Sequence, residues 1–227
     1  MERFAIVTGA ARGIGRGVAD HLEARGWRVA RLDIEGGRGI LPCDVSDEAS
    51  VGLVFEMLSG VLGDGLGLLV NNAGLSGPIA GPVEDLPLDV WNRYLAVNLT
   101  GAFLMTRAAA PHLRRGRGSV VNIASTRALM SEPDSEAYAA SKAGLLGLTH
   151  ALAVSLGPAV RANAIAPGWI VTTDADLSEE DHAQHPVGRV GRVADIAEAV
   201  EYLAGAGFVT GEVLVIDGGM TRQMIYV

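Results

Sequence analysis

The chain has 227 residues, a length that fits one α/β domain with a sizeable core. Its net charge of −8, with no basic block, argues against nucleic acid as the main partner. Although 49% of the residues are hydrophobic, the most apolar stretch, residues 143–160, is interrupted by Thr149, His150 and Pro158, so it is interpreted as a buried helix rather than a membrane span.

Short β-branched runs alternate with longer segments of helical period from end to end. The predicted strands are Arg3–Thr8, Arg28–Asp33, Gly39–Cys43, Leu68–Asn71, Ser119–Ala124, Arg161–Ala166 and Val213–Asp217. The predicted helices lie near Ile14–Arg25, Asp47–Leu62, Leu88–Arg115, Tyr138–Leu156 and Val193–Ala204. This alternation indicates βαβ units and an α/β fold of three layers, in which helices cover both faces of a doubly wound parallel sheet. No repeat or linker interrupts it, so residues 1–227 are predicted to form a single domain.

The connection between the second and third predicted strands is unusually short, since only residues 34–38 separate them. A crossover between parallel strands usually takes a dozen or more residues. We therefore expect a tight loop there, without a helix.

The turn after the first strand, Thr8-Gly9-Ala-Ala-Arg12-Gly13-Ile-Gly15, is rich in glycine and opens the first helix. Glycines let backbone N–H groups approach a pyrophosphate, and the helix N-terminus favours an anion. The spacing differs from the usual G-x-G-x-x-G, and a glycine-rich turn alone is a modest signal.

Asp33 ends the second strand, 18 residues after Gly15. A carboxylate there can accept hydrogen bonds from a ribose diol and would repel a 2′-phosphate, which favours NAD over NADP. Arg12 and Arg31 argue in the other direction, because either could meet such a phosphate. Asp44 and Val45 end the third strand and Asn71-Asn72-Ala73-Gly74 ends the fourth, so several strand ends together predict a nucleotide crevice.

Tyr138 and Lys142 are spaced i, i+4 within a predicted helix and therefore share one face. A free phenol has a pKa of about 10, and an adjacent ammonium would lower it toward the range that proton transfer needs. Ser125 follows the fifth strand, where its hydroxyl could donate to a substrate carbonyl. Asn98 interrupts a long helical pattern, which predicts a local break able to hold a water.

On these motifs the chain resembles the short-chain dehydrogenase/reductase family, in its single-domain branch. The matching motifs run nearly from end to end and are Thr8-Gly-x-x-x-Gly13-x-Gly15, Asn71-Asn-Ala-Gly74, Asn98, Ser125, Tyr138-x-x-x-Lys142, and Pro167-Gly168 followed by Thr172. The resemblance implies a Rossmann-like sheet of seven strands, usually in a homotetramer. It also implies an NAD(P)-dependent oxidoreductase that interconverts a small secondary alcohol and its carbonyl by hydride transfer.

The resemblance further implies a role for each catalytic candidate. Tyr138 would be the general acid/base and Ser125 would polarise the carbonyl. Lys142 would hold the nicotinamide ribose and lower the tyrosine pKa, and Asn98 would position a water. The cofactor contacts expected from the residues and the resemblance together are Gly9, Arg12, Gly13, Ile14, Gly15, Asp33, Asp44, Val45, Asn71, Ala73, Gly74, Tyr138, Lys142, Pro167, Gly168, Ile170 and Thr172.

The substrate end of the site is expected to include Ser76, Arg127 and Trp169, and the guanidinium of Arg127 would suit a carboxylate. His182 and His185 lie in an acidic stretch, residues 174–185, that could suggest a metal site. No closed ligand set is spaced for one, so the stretch is interpreted as a solvated lid and no metal is expected.

Other functions stay open. A 3-oxoacyl-type reductase using NADPH is one alternative, against which Asp33 argues. A protein that binds NAD without net redox turnover, for epimerisation, dehydration or regulation, is another. We expect a small-molecule substrate, no membrane partner and a homo-oligomer (tetramer or dimer), because residues 100–115 and 143–160 are rich in small side chains. The single cysteine, Cys43, excludes an intrachain disulfide and fits a cytoplasmic location.

Overall fold

A seven-stranded parallel sheet forms the centre of the computed structural model, which describes residues 3–77 and 79–224. The strand order is β3-β2-β1-β4-β5-β6-β9, and each neighbouring pair is parallel. The strands of this sheet are β1 (Phe4–Thr8), β2 (Arg28–Asp33), β3 (Ile40–Pro42), β4 (Leu68–Asn71), β5 (Ser119–Ile123), β6 (Arg161–Pro167) and β9 (Val213–Ile216). Two further short strands, β7 (Ile170–Val171) and β8 (Gly191–Arg192), pair with each other.

Seven helices accompany the strands within the described ranges. They are α1 (Gly13–Ala24), α2 (Glu48–Met57), α3 (Leu88–Leu95), α4 (Gly101–Gly116), α5 (Glu136–Leu156), α6 (Glu179–Ala183) and α7 (Val193–Gly205). The predicted strands are confirmed with ends that differ by at most one residue. The short elements α6, β7 and β8 were not predicted, because each spans too few residues to show a period.

The side chains of the central strands are buried on both faces of the sheet. In β1, Phe4 and Ile6 pack in the cluster that contains residues of α2, α4 and α5, whereas Ala5 and Val7 pack in the cluster that contains residues of α1 and α7. Successive residues of a strand point to opposite faces, so helices must cover both. The doubly wound Rossmann-like fold is thereby confirmed.

The link from β2 to β3 contains no helix, as expected from its length. Arg31 of β2 is nevertheless in register with Ile40 of β3 in a parallel pair. Gly37 and Ile40 form an isolated antiparallel bridge, and Gly39 has a φ of +76°, a left-handed conformation that glycine adopts readily. A tight turn therefore brings the chain back to the start of β3.

The long helix predicted from Leu88 to Arg115 is two helices with a π-helical turn between them. The turn covers Ala96–Thr100 and contains the buried Asn98. The break predicted at Asn98 is confirmed, and its form fits the tendency of π-turns to occur at functional sites.

Among the described residues, α5 is the one helix long and apolar enough to cross a membrane, by length and composition only. A core helix of a domain passes the same test. Since α5 packs on β6 and carries the buried Lys142, we assign it to the core.

Candidate active site

A cleft of about 1080 Å³ opens at the carboxyl ends of the central strands, the edge at which open α/β sheets bind ligands. Its wall contains most of the residues that the sequence predicted for the site. These are Gly9, Arg12, Gly13, Ile14, Asp33, Asp44, Val45, Ala73, Gly74, Ser76, Ser125, Arg127, Tyr138, Lys142, Pro167, Gly168, Trp169, Ile170 and Thr172. Residues from both ends of the sequence therefore meet in one cavity.

Gly15 and Asn71, predicted as cofactor contacts, lie behind the cleft wall instead. A Cβ at Gly15 would lie 2.1 Å from the carbonyl oxygen of Gly9, so Gly15 lets α1 pack against the glycine turn. The side chain of Asn71 is buried, and its amide donates to Thr106 Oγ1 at 3.0 Å and Asn122 Oδ1 at 2.8 Å. Both residues support the wall without facing the cavity.

The glycine turn is held open by a residue that the sequence analysis did not select, Asn72. Its side-chain amide donates to the carbonyl oxygens of Thr8 at 2.9 Å and Gly9 at 3.1 Å. Gly9 and Gly13 have positive φ values of +65° and +55°, which other residues adopt only with strain. The turn is therefore preset by glycine and by Asn72.

An acidic edge borders the glycine turn. The Asp33 carboxylate accepts hydrogen bonds from the backbone N–H groups of Ala11 at 2.9 Å and Glu35 at 3.1 Å. Arg12 lies 3.7 Å from the carboxylate of Glu35, with both side chains exposed. Arg31 pairs with two carboxylates of α1 at 2.6 and 2.7 Å. Both arginines that could meet a 2′-phosphate thus have acidic neighbours.

Tyr138 and Lys142 lie one turn apart on α5, as predicted, and face Ser125 just beyond the end of β5. The Lys142 ammonium donates to the carbonyl oxygen of Ile123 at 2.9 Å and lies 5.8 Å from the centre of the Tyr138 ring. Only 5% of Lys142 is exposed, and this burial lowers its pKa to about 8. The side chains of Ser125 and Tyr138 both line the cleft.

The pKa of Tyr138 differs from the expectation of a lowered value. Burial of the phenol raises its pKa, and this effect outweighs the neighbouring Ser125 hydroxyl and the positive charge of Arg127, which both lower it. The Lys142 ammonium is bonded to the carbonyl of Ile123. Tyr138 is therefore a protonated acid at neutral pH in this structure.

The side chain of Asn98 connects two segments that border the cleft. Its Oδ1 accepts from the backbone N–H of Leu75 at 2.7 Å, and its Nδ2 donates to Ser141 Oγ at 3.0 Å. Leu75 follows the Asn71–Gly74 strand end, and Ser141 lies on α5 beside Lys142. The side chain thus ties the loop after β4 to the helix that carries Tyr138 and Lys142.

The substrate end contains an ion pair that the sequence did not reveal. Nε of Arg127 donates to Glu132 Oε2 at 3.1 Å, and its Nη2 contacts the same oxygen. Glu132 also lies in the cleft wall, as does Gln184. The interpretation of Arg127 as an anchor for acids assumed a free guanidinium, whereas the structure gives it a carboxylate of its own.

The acidic stretch of residues 174–185 is largely exposed from residue 174 to residue 180 and becomes buried at His185. Ser178 caps α6, and His182 Nδ1 accepts from the backbone N–H of Val190 at 3.2 Å. His185 is 2% exposed and lies beside the Trp169 ring, with centroids 6.3 Å apart. In the part of the chain that the structure describes, no group of His, Cys, Asp and Glu is arranged to hold a metal ion.

The residues of the cleft fit a nicotinamide dinucleotide. A Cβ at Gly9 would lie 2.8 Å from the Cα of Ala73, so the glycine turn packs closely on the loop after β4 and brings its backbone to the place where a pyrophosphate would lie. The Asp33 carboxylate lies on one side of this turn, where a ribose hydroxyl would have an acceptor. Lys142 and Tyr138 stand at the other end of the cleft, where a ribose and a reacting carbon would lie.

Comparison with known proteins gives consistent matches over nearly the whole chain. A family model described as enoyl-(acyl carrier protein) reductase matches residues 9–221. An uncharacterized oxidoreductase of Thermotoga maritima is 42% identical over 99% of this chain and 98% of its own length. The cis-4-hydroxycyclohexanecarboxylate dehydrogenase of Sinomonas cyclohexanicum is 36% identical over 97% of each chain. The solved structure of an SCOR enzyme from Clostridium thermocellum has a TM-score of 0.90 at 39% identity, over 100% of this chain and 96% of that one.

Proposed function

We propose that the chain is an NAD-dependent oxidoreductase interconverting a small secondary alcohol and its carbonyl. It belongs to the short-chain dehydrogenase/reductase family, and its relatives in that family act on alcohols and ketones. The observation that carries the proposal is the meeting of Ser125, Tyr138 and Lys142 in one cleft with the glycine turn and Asp33. Nicotinamide, when bound, supplies or accepts the hydride.

The proton chemistry falls to Tyr138 and Ser125. In carbonyl reduction, Ser125 Oγ holds the substrate oxygen by a hydrogen bond and Tyr138 Oη donates its proton to that oxygen. In alcohol oxidation the same proton returns to Tyr138. Its raised pKa keeps the phenol protonated at neutral pH, which favours the reductive direction there. Lys142 supplies positive charge beside the phenol and a donor for a ribose hydroxyl.

The preference for NAD rests on the acidic edge. A 2′-phosphate beside Asp33 and Glu35 would meet two carboxylates, and the guanidinium of Arg31 is already engaged by α1. We expect kcat/KM to be at least tenfold higher with NAD than with NADP. Asp33→Asn should reduce this ratio by roughly tenfold, the effect of about 1.4 kcal/mol of lost repulsion. A wild-type preference for NADP would overturn the assignment.

The first alternative, a 3-oxoacyl-type reductase using NADPH, is favoured by a relative from Bos taurus named 3-oxoacyl-[acyl-carrier-protein] reductase, which is 36% identical over 99% of this chain. Steady-state formation of reduced nicotinamide with neutral alcohols, sugars and hydroxy acids, using NAD and NADP in turn, separates the two. Turnover with NADP alone would favour the alternative. Cofactor binding without turnover on any substrate would favour the second alternative, an NAD-binding protein without net redox chemistry.

We also propose that the chain is a single cytoplasmic domain that forms a homo-oligomer through α4 and α5. Phe103 on α4 and Val154 on α5 are 42% and 83% exposed, and such apolar exposure on two neighbouring helices favours association. Sedimentation equilibrium tests this part directly, and a monomer at micromolar concentration would contradict it.

A further inference from the structure

The wall of the cleft beside the proposed proton donor carries a charge pair. Arg127 and Glu132 both line the cavity, with 31% and 53% of their side chains exposed. Two nitrogens of the guanidinium, Nε and Nη2, contact one carboxylate oxygen, Oε2. Within residues 3–77 and 79–224, the structure gives Nη1 of Arg127 and Oε1 of Glu132 no hydrogen bond of their own.

The backbone of each member of the pair is hydrogen-bonded to a residue on or next to an element of the reacting site. The backbone N–H of Arg127 donates to Ser125 Oγ at 3.1 Å, and Ser135 Oγ donates to the carbonyl oxygen of Glu132 at 2.6 Å. Ser135 in turn precedes α5 directly, which carries Tyr138. A substrate whose oxygen lies between Ser125 and Tyr138 therefore presents its neighbouring substituent to this pair.

We propose that Glu132 is a specificity-determining residue, which neutralises Arg127 and makes this wall select a neutral polar substituent over a carboxylate. The inference rests on the proposed function and specifies its substrate class, a secondary alcohol or ketone that carries an amide or hydroxyl group. An incoming carboxylate would be attracted by Arg127 and repelled by Glu132 across a similar distance, so most of the attraction cancels. An amide matches the pair, since its oxygen accepts from Nη1 and its N–H donates to Oε1.

Matched pairs of substrates test the proposal, because they differ in charge and hardly in shape. Suitable pairs are 3-hydroxybutyrate with 3-hydroxybutyramide, and 4-hydroxycyclohexanecarboxylate with its carboxamide. The quantity measured is the ratio of kcat/KM for the acid to kcat/KM for the amide, at saturating NAD. The variants are Glu132→Gln, Arg127→Gln and the double substitution. Glu56→Gln removes an exposed carboxylate on α2, outside the cleft wall, and serves as the control for net charge.

Wild type should favour the amide, and Glu132→Gln should raise the acid-to-amide ratio about tenfold, the size expected for releasing one partly exposed charge. The increase should shrink in 1 M salt, which screens it. Arg127→Gln should lower the ratio, and the double variant should lie near wild type. Glu56→Gln should leave the ratio unchanged.

Different results would contradict the role of Glu132 and the oxidoreductase function. A ratio that stays within twofold of wild type in Glu132→Gln, while turnover is intact, overturns the role of Glu132 and leaves the oxidoreductase assignment standing. A wild type that favours the acid also overturns it. Lack of turnover with every alcohol and with both cofactors contradicts the proposed function and removes this inference with it.

Discussion

Replacing Lys142 by methionine should stabilise the protein while it removes the activity. Lys142 is 5% exposed, and the pKa of its ammonium is lowered from 10.5 to about 8 by burial. A lowering of this size corresponds to roughly 3 kcal/mol of unfavourable free energy in the charged form. The hydrogen bond to the carbonyl of Ile123 returns roughly 1 kcal/mol. A side chain of similar volume without the charge should therefore raise the free energy of unfolding at pH 7 by about 2 kcal/mol.

The pH dependence of this gain has a defined sign. Because the folded pKa of Lys142 lies below the unfolded one, the unfolded chain binds more protons between about pH 8 and 10.5, and the stability of the wild type rises with pH over that window. The advantage of Lys142→Met should therefore be full below pH 8 and almost absent at about pH 9.5.

Thermal unfolding at one fixed protein concentration measures the effect. For a chain of this size, about 2 kcal/mol corresponds to a rise in Tm of roughly 4–8 °C at pH 7. Lys142→Arg keeps a charge in the same place and should give no such gain. The reasoning is refuted if Lys142→Met is no more stable than wild type at pH 7, or if its advantage is the same at pH 9.5.

Three further variants probe other parts of the site. Tyr138→Phe should lower kcat by roughly 10²–10⁴-fold, the loss typical of a proton donor. The affinity for NAD, measured by fluorescence, should stay near that of the wild type. Substantial residual turnover would contradict the role of Tyr138 as the proton donor. Gly15→Ala should cost at least about 2 kcal/mol of stability, because its Cβ would meet a backbone oxygen at 2.1 Å. The control Gly52→Ala, which has open space around it in a helix, should gain about 0.5–1 kcal/mol. Equal Tm values for the two variants would show that the glycine turn can shift to accept the extra methyl group. Asn98→Ala should raise KM and lower kcat together, because Leu75 loses its anchor, and a change in kcat alone would instead indicate a direct part in proton transfer.

The parts of the site that follow from local sequence could be predicted. The i, i+4 spacing of Tyr138 and Lys142 fixes their shared helix face, and the glycines before α1 fix a turn of positive φ. Asp33 could be placed at the cleft, because it ends a strand whose period was clear in the sequence. These inferences need only the geometry of a single element.

Other features depend on tertiary contacts and could not be predicted in the same way. The pairing of Arg127 with Glu132 depends on the path of a loop between β5 and α5, and no sequence period encodes that path. The buried position of Asn71 could be predicted in part. Leu69 of β4 faces the side of the sheet that carries α4, and Asn71, two residues further along the strand, shares that face. Asn71 was predicted as a cofactor contact because it belongs to the family motif, although the alternation of β4 places its side chain on the buried face.

The chain contains a single lysine, Lys142, and all 17 other basic residues that make up its total of 18 are arginines. Apart from the α-amino group, every primary amine of the protein therefore lies in the cleft. With its pKa near 8, this amine is substantially uncharged and nucleophilic in mildly alkaline buffer. Amine-selective acylation therefore modifies one side chain in the cleft besides the α-amino group, and reductive methylation with ¹³C-formaldehyde would install one NMR reporter beside Tyr138. Occupancy of the cleft by NAD could then be followed without any engineered label.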